Sequence, residues 1–150
     1  MEVYGIHRLA TSRRYLVECI ERPEGRGEFD AIRLELLEVD PTPIERALTT
    51  AMKIPGLGVA GGSGLLSVLD GEHFGTVDQF AVKALQSVGC LEGDDADAVA
   101  KMKPENLSVK NGARLIKIFR DRADSLNQLF GSQRWSPRMI DMVLWTYGRG

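Results

Sequence analysis

The chain is short of the residues that announce a site by themselves. It has two cysteines, Cys19 and Cys90, and two histidines, His7 and His73, in 150 residues. Neither cysteine belongs to a Cys-x-x-Cys pair or to a histidine cluster, so no zinc ligand set is present. Asp94, Asp95 and Asp97 lack the alternate acidic spacing closed by a glutamate at the twelfth position that a calcium loop needs. No apolar run approaches the ~20 residues of a membrane span, and the N-terminus does not resemble a signal peptide. Two lone cysteines suit a reducing, cytoplasmic setting. Neither sign of charge dominates: 19 Lys and Arg face 21 Asp and Glu, for a net charge of −2. That counts against a strongly electrostatic nucleic-acid binder. Backbone dipoles or a local basic face remain open to a nucleic acid. Strand-like alternation, internal repeats and low-complexity segments are also missing.

What is there is helical. The length and the 43% apolar content suffice for one domain over residues 1–150 with a real core. Apolar positions recur at helical spacing over 8–21, again from Phe29 to Leu37, and again from Ile44 to about Lys53. Pro23 to Gly27 reads as a turn. Thr42 is expected to cap the third helix, with Pro43 at its first position and Glu45 closing a capping box. Further helices are expected over Val59–Leu69, over Val77–Val88 capped by Thr76, over Ser108–Phe130 closed by Gly131, and from Ser136-Pro137 to Gly148. The acidic run after Gly93 reads as a solvated helix start. The fold class is therefore all-α, with seven or eight helices.

One stretch organises the rest: Met52-Lys-Ile-Pro-Gly-Leu-Gly-Val-Ala-Gly-Gly-Ser-Gly-Leu-Leu. Pro55 stops one helix, lacking an N–H and pushing its predecessor out of the α region. Gly56 and Gly58 permit positive φ and close backbone approach. The next helix then begins with free N–H groups, which suit an anion. Gly61, Gly62 and Gly64 each cost roughly 1 kcal/mol against alanine in a helix, so they call for close packing or room for a ligand.

Ile54-Pro-Gly-Leu-Gly58, followed by Gly75-Thr-Val-Asp78-Gln-Phe-Ala-Val82, resembles the helix-hairpin-helix and loop-Asp of the helix-hairpin-helix/Gly-Pro-Asp superfamily of base-excision DNA glycosylases. The match is clear from about Ile44 to Leu85 and looser to the C-terminus, where Asp141…Leu144-Trp145…Gly148 is similar to the domain end of bacterial members. The resemblance implies a hairpin gripping one backbone of double-stranded DNA through the amides of Gly56, Gly58 and Ala60. Lys53 and Ser63 would add side-chain contacts, and hairpin carbonyls would hold a monovalent cation. It also implies a role for Asp78, stabilising positive charge at C1′ of the sugar or activating the nucleophile. The other reading of Asp78 is a helix cap.

Two departures matter. Bifunctional members carry a lysine where this chain has Ala60, and Schiff-base lyase chemistry needs that amine. Any activity would therefore be that of a monofunctional glycosylase with water as nucleophile. Only about 42 residues precede the hairpin's first helix, too few for the usual far wall of a base pocket. The C-terminal helices or a second copy of the chain, as a homo-oligomer, would have to complete it. The iron–sulfur cluster of some members needs four closely spaced cysteines near the C-terminus, which are missing.

Trp135, between Arg134 and Arg138, either stacks on a base or packs as a staple. Trp145 is expected in the core with Met139, Ile140, Val143, Leu144 and Tyr147. The basic face of the long helix, with Lys110, Arg114, Lys117, Arg120 and Arg122, discriminates further. On the hairpin's side it would favour DNA binding; elsewhere it would favour a non-catalytic scaffold or protein-interaction domain that keeps the fold only.

Overall fold

The computed structural model describes residues 23–149, together with 14, 17, 18 and 21 of the segment before them. Most of the helix expected over 8–21, with His7 and Cys19, lies outside the described residues. The described residues form seven helices and no strand: α1 (Pro23–Leu37), α2 (Ile44–Ala51), α3 (Val59–Leu69), α4 (Gln79–Val88), α5 (Gly93–Ala100), α6 (Val109–Phe130) and α7 (Pro137–Gly148). None of them is long and apolar enough to cross a membrane.

Pro23 to Gly27 is helix, not turn. Proline is tolerated in a first helical turn, where its missing N–H has no partner to lose. The start of α2 also departs from expectation. No side chain caps it, and its flanking residue is Pro43. Asp40 Oδ1 instead accepts the Thr42 N–H at 2.8 Å, an Asx turn that uses the amide of the residue expected to cap.

The core is a single cluster centred on α6. Leu115, Ile116 and Phe119 of α6 are fully buried with Leu48 of α2, Leu66 of α3 and Val82 of α4. Two contacts depend on a missing Cβ. A Cβ on Gly112 of α6 would lie 2.5 Å from Val59 Cγ1 and 3.3 Å from Leu48 Cδ1. A Cβ on Gly148 would strike the Phe80 carbonyl of α4. Gly112 thus lets α6 sit against the α2–α3 corner, and Gly148 lets α7 sit against α4.

The α6 basic face is largely committed to the chain itself. Arg120 donates Nε–H to the His73 carbonyl (2.7 Å) and Nη2–H to the Pro41 carbonyl (2.9 Å), with its guanidinium 5.1 Å from the Phe74 ring centroid. Arg114 reaches the Asp94 carbonyl at 3.0 Å, Arg122 the Cys90 carbonyl, and Lys117 Asp121 at 2.6 Å. Lys110, Arg114 and Lys117 line a groove of about 750 Å³ with Thr42, Pro43 and Glu45 at the start of α2. The Pro-Gly turn leaves the other end of α2, about 12 Å away along an eight-residue helix.

Gly112→Ala tests the central packing. It is expected to destabilise the fold by about 1–3 kcal/mol through overpacking against Val59. Urea denaturation reads this, and an unchanged midpoint would show that Val59 gives way freely.

Candidate functional site: the Pro-Gly turn and the Asp78 cleft

The turn between α2 and α3 is built as its residues dictate. Leu57 N–H donates to the Ile54 carbonyl at 3.1 Å. Pro55 fills the second position and Gly56, with φ of 86°, the third, the pattern of a type II turn. Gly58 flanks α3 in extended backbone (φ −90°, ψ −167°), and its carbonyl accepts the first helical bond from Gly62 N–H at 2.8 Å. The N–H groups of Val59, Ala60 and Gly61 precede that bond and have no helical acceptor before them. Gly56, Gly58 and Ala60 are exposed.

The glycines divide by cause. Gly56 needs its positive φ. A Cβ on Gly62 would lie 3.4 Å from Ala51 Cβ and 3.3 Å from Met52 Cγ, so close helix approach accounts for that glycine. Gly58 has neither reason: any residue adopts its backbone, and a Cβ there would meet nothing within 4 Å.

Two side chains proposed for DNA contact are otherwise engaged. Ser63 is fully buried. Its hydroxyl donates to the Ala60 carbonyl (3.0 Å) and accepts the Val77 N–H (3.0 Å). The expected DNA contact of Ser63 is therefore not made: its hydroxyl is an internal tie, closed off from the surface. Lys53 is exposed but pairs with Glu35 of α1 at 2.5 Å. Trp135 is half-buried and packs against the core, while its backbone N–H and carbonyl are held by the Asn127 amide at 2.9 and 2.8 Å.

The Ser63–Val77 bond brings the Asp78 loop beside α3, about 8 Å along the helix from Gly58. Asp78, not Thr76, caps α4. Its Oδ1 accepts N–H from both Phe80 and Ala81 at 2.9 Å. Its Oδ2 makes no hydrogen bond among the described residues. Asp78 is half-buried and lines a cleft of about 430 Å³ with Thr76, Arg138, Asp141, Trp145 and Thr146.

Thr76 has a different task. Its N–H donates to Asp141 Oδ2 at 2.5 Å. Ser67 spends its proton on the Gly64 carbonyl (2.8 Å), so the Thr76 hydroxyl is the donor in the 3.2 Å contact between them. Arg138 Nη1 donates to Thr76 Oγ1 (3.1 Å) and to both oxygens of Asp141 (3.2 and 3.1 Å). Among the described residues, every buried side-chain N or O has a partner. Burial pushes the Asp141 carboxyl above the usual aspartate pKa, although the Thr76 amide and Arg138 favour its charged form.

The expected inner face of α7 is therefore rotated. Met139, Val143 and Tyr147 are exposed, and the buried stripe is Pro137, Ile140 and Asp141, with Leu144 partly buried. Trp145 is 39% exposed and meets Phe80 edge-on at 6.1 Å. Sequence reasoning named Asp141 only in the domain-end resemblance and Arg138 only beside Trp135, and placed neither of them, nor Thr146, near Asp78. The available signal was an acid on a helix turn otherwise filled by methionine, isoleucine and valine. Among the described residues, no cluster of three or more His, Cys, Asp or Glu could hold a metal.

No family model matches the chain, and neither a curated protein nor a solved structure does.

Two predictions follow from the cap and the buried acid. Asp78→Ala is expected to cost about 1 kcal/mol and Asp78→Asn nearly nothing, because asparagine caps as well as aspartate; thermal melts of both variants check this. Asp141 holds a proton in the folded state at pH values where the unfolded chain has released it. That contribution to stability is complete below the ordinary aspartate pKa and is lost as pH rises through the raised folded value. Relative to Asp141→Asn, the parent should therefore lose stability as pH climbs from about 3 to 7, read by urea denaturation at each pH.

Proposed function

We propose that this chain grips the backbone of double-stranded DNA through the α2–turn–α3 unit, used as a helix-hairpin-helix. The observation that carries the reading is Gly58. Among the described residues nothing requires a glycine there, and its missing side chain leaves room for a partner's backbone to approach from outside. Beside it stand the exposed residues Gly56 and Ala60 and the first-turn amides of α3, which no side chain caps among the described residues, a favourable place for phosphate. The resemblance to the DNA glycosylase superfamily supports the same assignment. The turn's carbonyls are where a monovalent cation would bind. The Ile54 carbonyl already accepts from Leu57, so a cation there would take its second lone pair.

The reading extends to a monofunctional glycosylase acting at the Asp78 cleft. A flipped base would enter the cleft. The C1′–N bond would break as positive charge develops on the sugar, facing the Asp78 carboxylate. Water would add to C1′ and lose its proton, and the base would leave carrying one. Ala60 in place of an amine excludes the lyase step. A second copy of the chain could supply the pocket's far wall.

One observation favours the scaffold or protein-interaction reading instead. Four of the five cations on α6 are tied within the chain, and α7 exposes Met142, Val143 and Tyr147.

Salt-dependent binding to duplex DNA carrying an abasic-site analogue tests both. The parent is expected to bind, with Gly58→Arg weakening binding at least tenfold by blocking backbone approach, about 1.4 kcal/mol or more. Its melting temperature should hold, since a Cβ there meets nothing within 4 Å and any residue adopts that backbone. No binding by the parent at low salt would overturn the DNA reading and leave the interaction domain.

A further inference from the structure

We infer that Asp141 is a positioning residue for Asp78: by holding the Thr76 amide, with Arg138 braced against both, it fixes the loop that presents the Asp78 carboxylate at the cleft wall. The inference rests on the site role proposed for Asp78.

The argument begins with where α7 touches the segment 75–80. A Cβ on Gly75 would lie 2.5 Å from the Pro137 carbonyl. Thr76 is held through its N–H by Asp141 and through its hydroxyl by Arg138. Phe80 is met by Trp145 and by the backbone at Gly148. These contacts bracket Asp78 on both sides, yet no hydrogen bond joins α7 to its carboxylate. Asp78 Oδ1 is committed to the α4 cap. The direction of Oδ2 is therefore set by where the loop and the start of α4 stand; α7 holds both, together with the Ser63 hydroxyl of α3 at the Val77 N–H.

Tight packing does not require a carboxylate at 141. An apolar residue would seal α7 at lower desolvation cost, because a buried ion pair contributes little net stability. What an acid adds is a directional grip on one backbone N–H, two residues before Asp78. Arg138 Nη1 makes all of the guanidinium's hydrogen bonds within this network. Ser67 extends the brace to α3, the helix that begins at the Pro-Gly turn. The turn and Asp78 are thus held in one frame.

The test uses the full chain and two measurements. The first is the amide spectrum of ¹⁵N-labelled protein, parent against Asp141→Asn, well below the melting temperature. The Phe80 and Ala81 amides, which report the Asp78 cap, should shift and exchange faster, while Val59 and Ala60 stay put. The second is affinity for a duplex carrying a cationic pyrrolidine abasic-site analogue, divided by affinity for plain duplex. The parent should prefer the cationic site, and Asp141→Asn should lose about tenfold of that preference while binding plain duplex normally. Arg138→Gln, at a partly exposed position, should show the same pattern more weakly and serves if Asp141→Asn fails to fold. Unshifted Phe80 and Ala81 amides with an intact preference would overturn the inference. If the parent binds no duplex, the DNA reading falls, and the amides alone decide: shifted cap amides support the positioning role, unshifted ones reject it.

Discussion

A carboxylate inside a helical domain needs a reason, and that of Asp141 is a backbone N–H. The loop from Phe74 to Asp78 leaves α3 and must turn before α4 can begin. Its Thr76 amide, in a half-buried residue, has no helix or strand to join, and a donor cut off from water without a partner would cost about 1–3 kcal/mol. Asp141 supplies the acceptor, and Arg138 balances its charge. With that acid turned inward, α7 leaves Trp145 39% exposed and lines the Asp78 cleft with Arg138, Asp141 and Trp145.

Absent side chains do as much as present ones. Gly112 and Gly148 permit approaches that an alanine would block, so α6 and α7 pack nearly backbone to side chain and backbone to backbone. Gly58, like Gly27 of α1, has free space and an ordinary φ, so no contact among the described residues demands a glycine there. Gly62 looks equivalent in sequence and has an internal cause, contact with Ala51 and Met52.

The cations of α6 illustrate how composition misleads about partners. Spaced along one helix they suggest a nucleic-acid face. In the fold, Arg120 staples two loops through the His73 and Pro41 carbonyls, and Arg114 and Arg122 reach the carbonyls of Asp94 and Cys90. Pro41, His73 and Cys90 lie in loops between helices, where carbonyls lack ladder partners and long guanidinium side chains satisfy them. Contact with a partner through the Pro-Gly turn would then rest on backbone dipoles more than on side-chain charge.

Helix periodicity, Pro55 after an apolar run, Gly131 in a left-handed cap and Ser136-Pro137 at a helix start were legible in the chain, because each is decided within four or five residues. The same locality made Gly56 readable as a positive-φ position. Which residue caps α4, which face of α7 is buried, and that Ser63 points inward toward Val77 were not legible. Those outcomes turn on hydrogen bonds spanning 14 and 65 residues of chain, and no local pattern contains both partners. By itself the sequence determined helices, a Pro-Gly turn between two of them, and an aspartate, Asp78, just before another. Only the tertiary structure decided that Asp141, Arg138 and Trp145 share Asp78's cleft, because a buried acid is placed by the distant amide it must satisfy.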